Sequence, residues 1–338
     1  MTAFRVRKRL RTGGPRLGNR SASALFGGPI ARWGRALGHC ARCALALPAV
    51  HTVHAAPPFV VTWRPVRALA GVVAELRIRF DSEAAPGLSG AVVGEPLHFE
   101  QLDDGRTFWA LVPVPLDSAD SLDVALVVRP ADTVVASLPV RARARGMQVL
   151  HLRPPYNRPP DSATVSRLLA EKGLLDSIRE AAHLVPRLWH AAFLRPVPGR
   201  VTTGFGVARK IDGMLEPVHR GIDLAGAKGS AVRAANRGIV ALASALYESG
   251  LTVVVDHGAG LVTTYGHLSS VRVTVGDTVD RGEVLGRVGA SGRVTGPHLH
   301  WGAFYGALPV DPLSLLGLEG PPSISRSRRT HEEAVKSF

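Results

Sequence analysis

Between residues 199 and 318 glycines recur often enough to cut the chain into short β-branched runs, and this punctuation restricts the fold more than any other feature of the sequence. The runs fall at 238–245, 251–256, 260–265, 271–275 and 283–288. None reaches the ten or so residues that a helix needs, and glycine between them supplies the tight turns of consecutive antiparallel strands. Residues 199–318 are therefore expected to form an antiparallel β domain. Gly229-Ser230-Ala231-Val232 and Gly276-Asp277-Thr278-Val279 echo one another ahead of a glycine-bounded strand, which points to duplicated hairpins.

Upstream the texture is β as well. Runs at 59–63, 72–80, 108–112, 122–128 and 134–140 suggest a small β-sandwich over residues 57–150. It contains no cluster of reactive side chains, and its His98 and Glu100, on one strand face, read as a solvated pair; the domain is expected to be a spacer or to orient substrate. Residues 151–198 begin with the proline-rich Arg153-Pro154-Pro155-Tyr156-Asn157-Arg158-Pro159-Pro160, expected to be an extended, stiff linker. A helix follows, capped by Asp161 or Ser162. Val165, Leu168, Leu169, Leu175, Ile178, Ala182 and Val185 recur at helical spacing until Pro186 ends the pattern. His183 and His190 lie in or beside it and are read as packed or solvated. The tail, 319–338, is polar and unpatterned and is expected to be disordered.

Charge argues mainly about the first segment. The chain of 338 residues carries a net charge of +14, but residues 1–56 hold ten arginines and lysines and no acidic residue, so only +4 remains for the rest. No basic patch interleaved with aromatics appears elsewhere, so nucleic acid is not an expected partner. The basic leader runs into Cys43-Ala44-Leu45-Ala46-Leu47-Pro48-Ala49-Val50 and ends at Val53-His54-Ala55-Ala56, which reads as an export signal cut after Ala55, with a disordered basic arm as the alternative and a start codon beyond Met1 a further option. No later run approaches the ~20 apolar residues of a membrane span, so stable insertion is not expected once the leader is removed. Both cysteines, Cys40 and Cys43, fall in the leader. A metal site in the remainder must use histidine and carboxylate.

The C-terminal β domain offers those groups. His298-Leu299-His300 puts two imidazoles on one face of a strand, about 6 to 7 Å apart, so that one can hold a metal while the other reaches substrate. His219-Arg220-Gly221-Ile222-Asp223 adds a histidine and a carboxylate, with Gly221 letting the backbone bend between them. Tyr265-Gly266-His267 ends a predicted strand with a further histidine. His219, Asp223, His267, His298 and His300 thus fall within 82 residues. Catalytic zinc takes three protein ligands and keeps a fourth position for water, which leaves two histidines for proton transfer and oxyanion stabilisation.

Phe205-Gly206 with Arg209, His219-x-Gly221-x-Asp223, Asp256-His257-Gly258, Tyr265-x-His267-Leu268 and Gly296-Pro297-His298-Leu299-His300-Trp301 resemble, in order and spacing, the LytM/lysostaphin-type zinc metallopeptidases that cut peptidoglycan. The resemblance covers about residues 196–316. It implies a compact antiparallel β fold, the duplicated hybrid motif, with its site in an open groove. It also implies one Zn2+ per chain on His219, Asp223 and His300, with His267 and His298 as the catalytic pair. The implied activity is endopeptidase cleavage of peptidoglycan cross-links in the periplasm or cell envelope, with peptidoglycan peptides as substrate and an envelope regulator as a further partner. A silent scaffold that activates other wall hydrolases is the alternative. Departures from the family pattern are Leu251 where asparagine is common, Gly266 before the strand-end histidine, and Asp212 in the turn Lys210-Ile211-Asp212-Gly213-Met214. His257 is read as fixing a turn, and Tyr265 either packs or binds a transition-state oxygen. A carrier-domain reading of residues 275–286 fails because no lysine occurs between Lys228 and Lys336.

Overall fold

The computed structural model describes residues 7–8, 59–81, 87–129 and 132–320, so the expected export signal and the tail beyond 320 lie outside the described residues, apart from Arg7–Lys8. Strands β1 (Phe59–Arg64), β2 (Val73–Phe80) and β3 (Thr107–Pro113) are consecutive neighbours in one antiparallel sheet, with Glu100–Gln101 beside β3. A second sheet centres on β4 (Ser121–Arg129) and β5 (Asp132–Arg141). The inward rows, such as Phe59, Val61 and Trp63 of β1 and Leu122, Val124 and Leu126 of β4, belong to one buried cluster. This is the sandwich-like packing that period-two alternation dictates.

Strand β6 (Met147–Leu150) follows, and it was not legible as a strand because its partner is distant. It pairs in parallel with β7 (Ala208–Ile211), and β7 turns back into β8 (Met214–Glu216). The turn residues Asp212 and Gly213 both have positive φ, 47° and 88°, as the Asp-Gly sequence allows. The proline-rich segment between β6 and the helix is not extended: Tyr156 N–H donates to Arg153 O at 3.0 Å, and the Tyr156 ring packs edge-on against Tyr247. Helix α1 (Ser162–Ala181) is capped by Asp161, whose carboxylate accepts from Thr164 N. Its apolar spacing overstated its burial. No residue of α1 is buried, Val165 and Leu169 are exposed, and only Leu175 and Ile178 pack on the small cluster of Leu242, Leu246, Val254 and Val262.

The remaining strands form an antiparallel sheet in which β9 (Gly221–Ala225), β14 (His298–Tyr305), β12 (Leu261–Val271), β11 (Gly250–Asp256) and β10 (Gly238–Leu246) are neighbours in that order; β13 (Val284–Val288) joins β12 from the side. The expected strand at 271–275 is absent. Val271 ends β12, and Asp277 accepts from Thr274 N to close a turn. Among the described residues no helix is long and apolar enough to cross a membrane.

Polar contacts join the sandwich to this sheet. The half-buried ion pair Arg143–Asp311 is 2.9 Å long, Arg187 holds Glu100 at 2.6 and 2.8 Å, and Glu75 accepts from both Trp109 Nε1 and Glu319 N. His98 and His183 face one another at 2.8 Å, with His183 also on Glu95, so the two expected solvated residues on the Glu100 strand face are instead tied to the segment after α1.

Candidate functional site

Three strands carry the site, and their pairing decides which side chains meet. Asp223 of β9 lies directly opposite His300 of β14, and Ala225 opposite His298. Residues directly opposite share a face, so His298, His300 and Asp223 all project to one side. The intervening residues Leu299, Trp301, Ile222 and Leu224 are fully buried on the other. Each large side chain so buried contributes roughly 1.5–3 kcal/mol, so the apolar face is a stiff mount for the polar one.

Gly221 is needed at the junction for space. Its backbone is regular strand, not the bend the spacing suggested. A Cβ there would lie 2.6 Å from Trp301 O, 2.8 Å from His300 Cε1 and 2.9 Å from His300 Nε2. The His300 ring therefore lies against the place where a side chain would be.

Proton positions follow from the backbone partners. His219 Nδ1 is 3.0 Å from Gly204 O, His267 Nδ1 is 2.8 Å from Ser291 O, and His298 Nδ1 is 2.8 Å from Gly296 O. A carbonyl only accepts, so each of these rings carries its proton on Nδ1 and presents a lone pair at Nε2. His219 Nε2 points at His300 Nδ1, 3.0 Å away, and both lie 3.0 Å from Asp223 Oδ1. Electron-pair donors from His219, Asp223 and His300 thus converge with every ligating atom within 4.8 Å of the others. Lone pairs crowded this way repel unless a cation or protons lie between them. Two imidazoles and a carboxylate are a donor set that suits zinc.

Arg209 completes the carboxylate. Its Nη2 donates to Asp223 Oδ2 at 2.7 Å, which leaves Oδ1 for the histidines. Arg209 is part of the sequence motif, but its contact with Asp223 is set by the strand-to-strand register of β6, β7 and β8 and not by local spacing. Burial on its own would raise the Asp223 carboxyl, but its hydrogen-bonding and charge interactions with His219 and His300 outweigh it and hold the group well below the usual carboxylate range. Burial pulls His300 down from its ordinary value, partly offset by Asp223. It lowers His267 to about 3, helped by the charges of His300 and His298, so His267 is a neutral base at physiological pH.

His267 reaches the site by breaking the rule that places the others. Tyr265 pairs with Trp301 on the apolar face and Gly266 with His300 on the polar face. Regular alternation would send His267 into the core. Instead His267 has φ 62°, its N–H donates to Ser249 O at 2.6 Å, and the ladder to β11 shifts register between Leu251 and Val253. This bulge turns the imidazole outward, where its ring centroid is 4.8 Å from that of His298 and 5.9 Å from that of His300. A left-handed non-glycine residue costs of order 1–3 kcal/mol and is retained where the fold over-determines it. Gly266 gives the bulge room: a Cβ there would lie 3.2 Å from Ser249 O, so the glycine does not loosen the strand end.

Tyr265 and His257 serve the interior. Tyr265 is fully buried, and burial raises its phenol to about 12. His257 Nδ1 is 2.8 Å from Arg237 O and Nε2 is 2.8 Å from Thr263 Oγ1. With the proton on Nδ1, Nε2 accepts from Thr263. The Tyr265 hydroxyl, 2.9 Å from Thr263 Oγ1, then donates to Thr263 and accepts from Ala235 N. Tyr265 packs; it does not face the histidines.

The site opens into a groove of about 890 Å³. Gln148, Leu150 and Leu152 form one wall, and Glu216 and Arg293 another, joined by a 2.8 Å ion pair. No residue of the sandwich, 59–141, lines it.

Residues 217–312 match the model of Peptidase family M23. The DD-carboxypeptidase/endopeptidase Mpg of Neisseria meningitidis serogroup B is 41% identical over 98 residues, 29% of this chain and 23% of that protein. The peptidoglycan DD-endopeptidase ShyB of Vibrio cholerae serotype O1 is 31% identical over 168 residues, 49% of this chain and 38% of that protein. The chain thus spans less than two fifths of the length of either curated relative. A solved structure described as a peptidase M23 from Pseudomonas aeruginosa aligns with a TM-score of 0.56 at 27% identity and covers 74% of this chain and 95% of that one, so the likeness of fold extends upstream of residue 217.

Proposed function

We propose that the chain, whose residues 217–312 match the model of Peptidase family M23, is a zinc-dependent endopeptidase that hydrolyses peptide cross-links of peptidoglycan in the cell envelope. The observation that carries this reading is the convergence of His219, Asp223 and His300 beside the two further imidazoles of His267 and His298. His219, Asp223 and His300 would hold the zinc ion, which would supply Lewis-acid chemistry towards the scissile carbonyl and a water.

The chain's own groups do the rest. His267 and His298 each fix Nδ1–H on a backbone carbonyl and leave the Nε2 lone pair for the groove. One takes a proton from the attacking water. The resulting N–H donates to the developing oxyanion or to the leaving amine. No covalent intermediate is needed: among the described residues of the groove the serine, Ser249, has its hydroxyl on Thr252 Oγ1 at 2.8 Å, and there is no cysteine. Asp223 stays ionised, held by Arg209.

Digestion of purified peptidoglycan of defined chemistry, with mass analysis of the fragments, tests both activity and bond. A peptide cross-link should be cleaved by the zinc-loaded protein and left intact by His300→Ala. Full hydrolysis by that variant would sink the reading.

A further inference from the structure

The catalytic groove does not end at His300. A second cavity of about 430 Å³ lies between α1 and the sheet and shares Arg220, Glu248, Ser249 and His300 with the first. Leu168 and Leu175 of α1 form one side, Leu246 and Phe304 the other. The helix side lies upstream of the matched residues 217–312, so the family match assigns it nothing. It is also a fixed wall. The Glu171 carboxylate accepts from Tyr247 N at 2.9 Å, Arg167 Nη2 donates to Ala245 O at 3.2 Å, and the Arg179 guanidinium lies 3.8 Å over the Phe304 ring.

Charges along this arm do not balance. Arg167 pairs with Glu171, while Lys172 and Arg179 both pair with Asp176. Glu248 pairs with Arg293. Arg220 is exposed at the junction of the two cavities and has no carboxylate partner among the described residues. Burial, then the positive charge of Arg220, pull Arg179 below its ordinary value, with Asp176 in opposition. Two guanidiniums thus face one cavity, and its carboxylates are already engaged. An anion is the ligand that such a place lacks, and a guanidinium fork matches a carboxylate.

We propose that the arm between α1 and the sheet is a subsite for one peptide limb of the substrate, in which apolar side chains lie against Leu168, Leu175 and Phe304 and Arg220 takes a free carboxylate of that limb. This rests on the peptidase reading, because the limb is continuous with the bond over His300. Peptidoglycan stem peptides combine small aliphatic side chains with free carboxylates, which is the combination the arm fits.

The test uses the full zinc-loaded chain and two cross-linked stem-peptide dimers that differ only in carrying a free carboxylate or its primary amide beside the cleaved bond. A charge-assisted hydrogen bond of the usual strength makes kcat/KM for the acid about tenfold that for the amide. Arg220→Gln should bring the ratio close to one through KM, and Arg220→Lys should keep part of it. A ratio near one in the unaltered protein, or an unchanged ratio in Arg220→Gln, overturns the proposal. Calorimetric binding of the product tetrapeptide as acid and as amide separates this subsite from the peptidase reading. Preference for the acid that disappears in Arg220→Gln upholds the subsite even if no dimer is cleaved, whereas equal binding of acid and amide overturns it.

Discussion

Gly221→Ala probes the site through a single methyl group. Two of the three atoms that the new Cβ would meet, at 2.8 and 2.9 Å, belong to the His300 ring, and the third, at 2.6 Å, is the Trp301 carbonyl in the same strand. Backbone dihedrals are not the obstacle, because Gly221 is not among the positive-φ residues. Relief therefore requires β9 and β14 to part and the imidazole to turn. Overpacking of this kind costs about 1–3 kcal/mol. An imidazole turned ~30° from its rotamer costs about 0.5–1.5 kcal/mol. Turning the ring relieves only its own two contacts, and the 2.6 Å approach to the Trp301 carbonyl still requires the strands to part, so both effects are expected: zinc affinity lowered about 10- to 100-fold and stability lowered by about 1–3 kcal/mol. Chelator-competition titration reads the first effect, and thermal unfolding with zinc or with chelator reads the second. Gly173→Ala is the control: it lies in α1 with nothing within 4 Å of the added Cβ, and the substitution should raise stability by up to about 1 kcal/mol. Wild-type zinc affinity in Gly221→Ala would refute the placement of His300 against β9.

His300→Ala should lose zinc and cleavage together, whereas His298→Ala should keep zinc within a few-fold and lose kcat by about 100-fold or more, as measured by metal content and steady-state cleavage. Equal loss of zinc in both would show that the two histidines do not divide the work. Arg209→Lys keeps the positive charge near the metal but not the planar donor to Asp223 Oδ2, so zinc affinity should fall about tenfold by competition titration, and an unchanged value would mean that Asp223 is oriented by other contacts. Burial lowers His257 to about 4 from 6.5, so the unfolded chain binds a proton there that the folded chain refuses. Its contribution to stability is complete above pH 6.5 and is lost as pH falls towards 4, by up to about 3 kcal/mol. Denaturant unfolding across that window should be less pH-dependent in His257→Phe; equal slopes would contradict the neutral buried state.

The histidines of β14 were legible because a regular strand repeats every two residues and nothing between His298 and His300 interrupts it. His267 was legible only as a histidine near a strand end. Strict alternation from Tyr265 gives it the wrong face, and the bulge that corrects this depends on Ser249 O, a contact 18 residues away in sequence that no local pattern encodes. Gly221 was found and its reason mistaken, since a glycine needed for space and one needed for a bend look alike in sequence. In α1 the same limitation works the other way. Val165 and Leu169 keep helical spacing, yet the apolar side chains of the helix that pack on the buried cluster are Leu175 and Ile178 in its C-terminal half. Periodicity reports which residues share a face and is silent on whether that face is covered.

That silence matters most for the walls of the groove. His219, Asp223, His267, His298 and His300 all lie in residues 217–312; His219 just precedes β9, and Asp223, His298 and His300 sit on strands whose other face is filled by Ile222, Leu224, Leu299 and Trp301. Gln148, Leu150 and Leu152 on one side, and Leu168 and Leu175 on the other, come from upstream elements. Substitutions in the strands therefore disturb a packed core along with the chemistry, while those in β6 and α1 meet mostly half-buried side chains and leave the ligands untouched. Changes of preference between substrates are cheapest to make in the walls, because a side chain exchanged there costs little folding energy. Exchange of Leu168 for a larger side chain should accordingly change KM between peptides of different size and leave zinc content and unfolding temperature where they were.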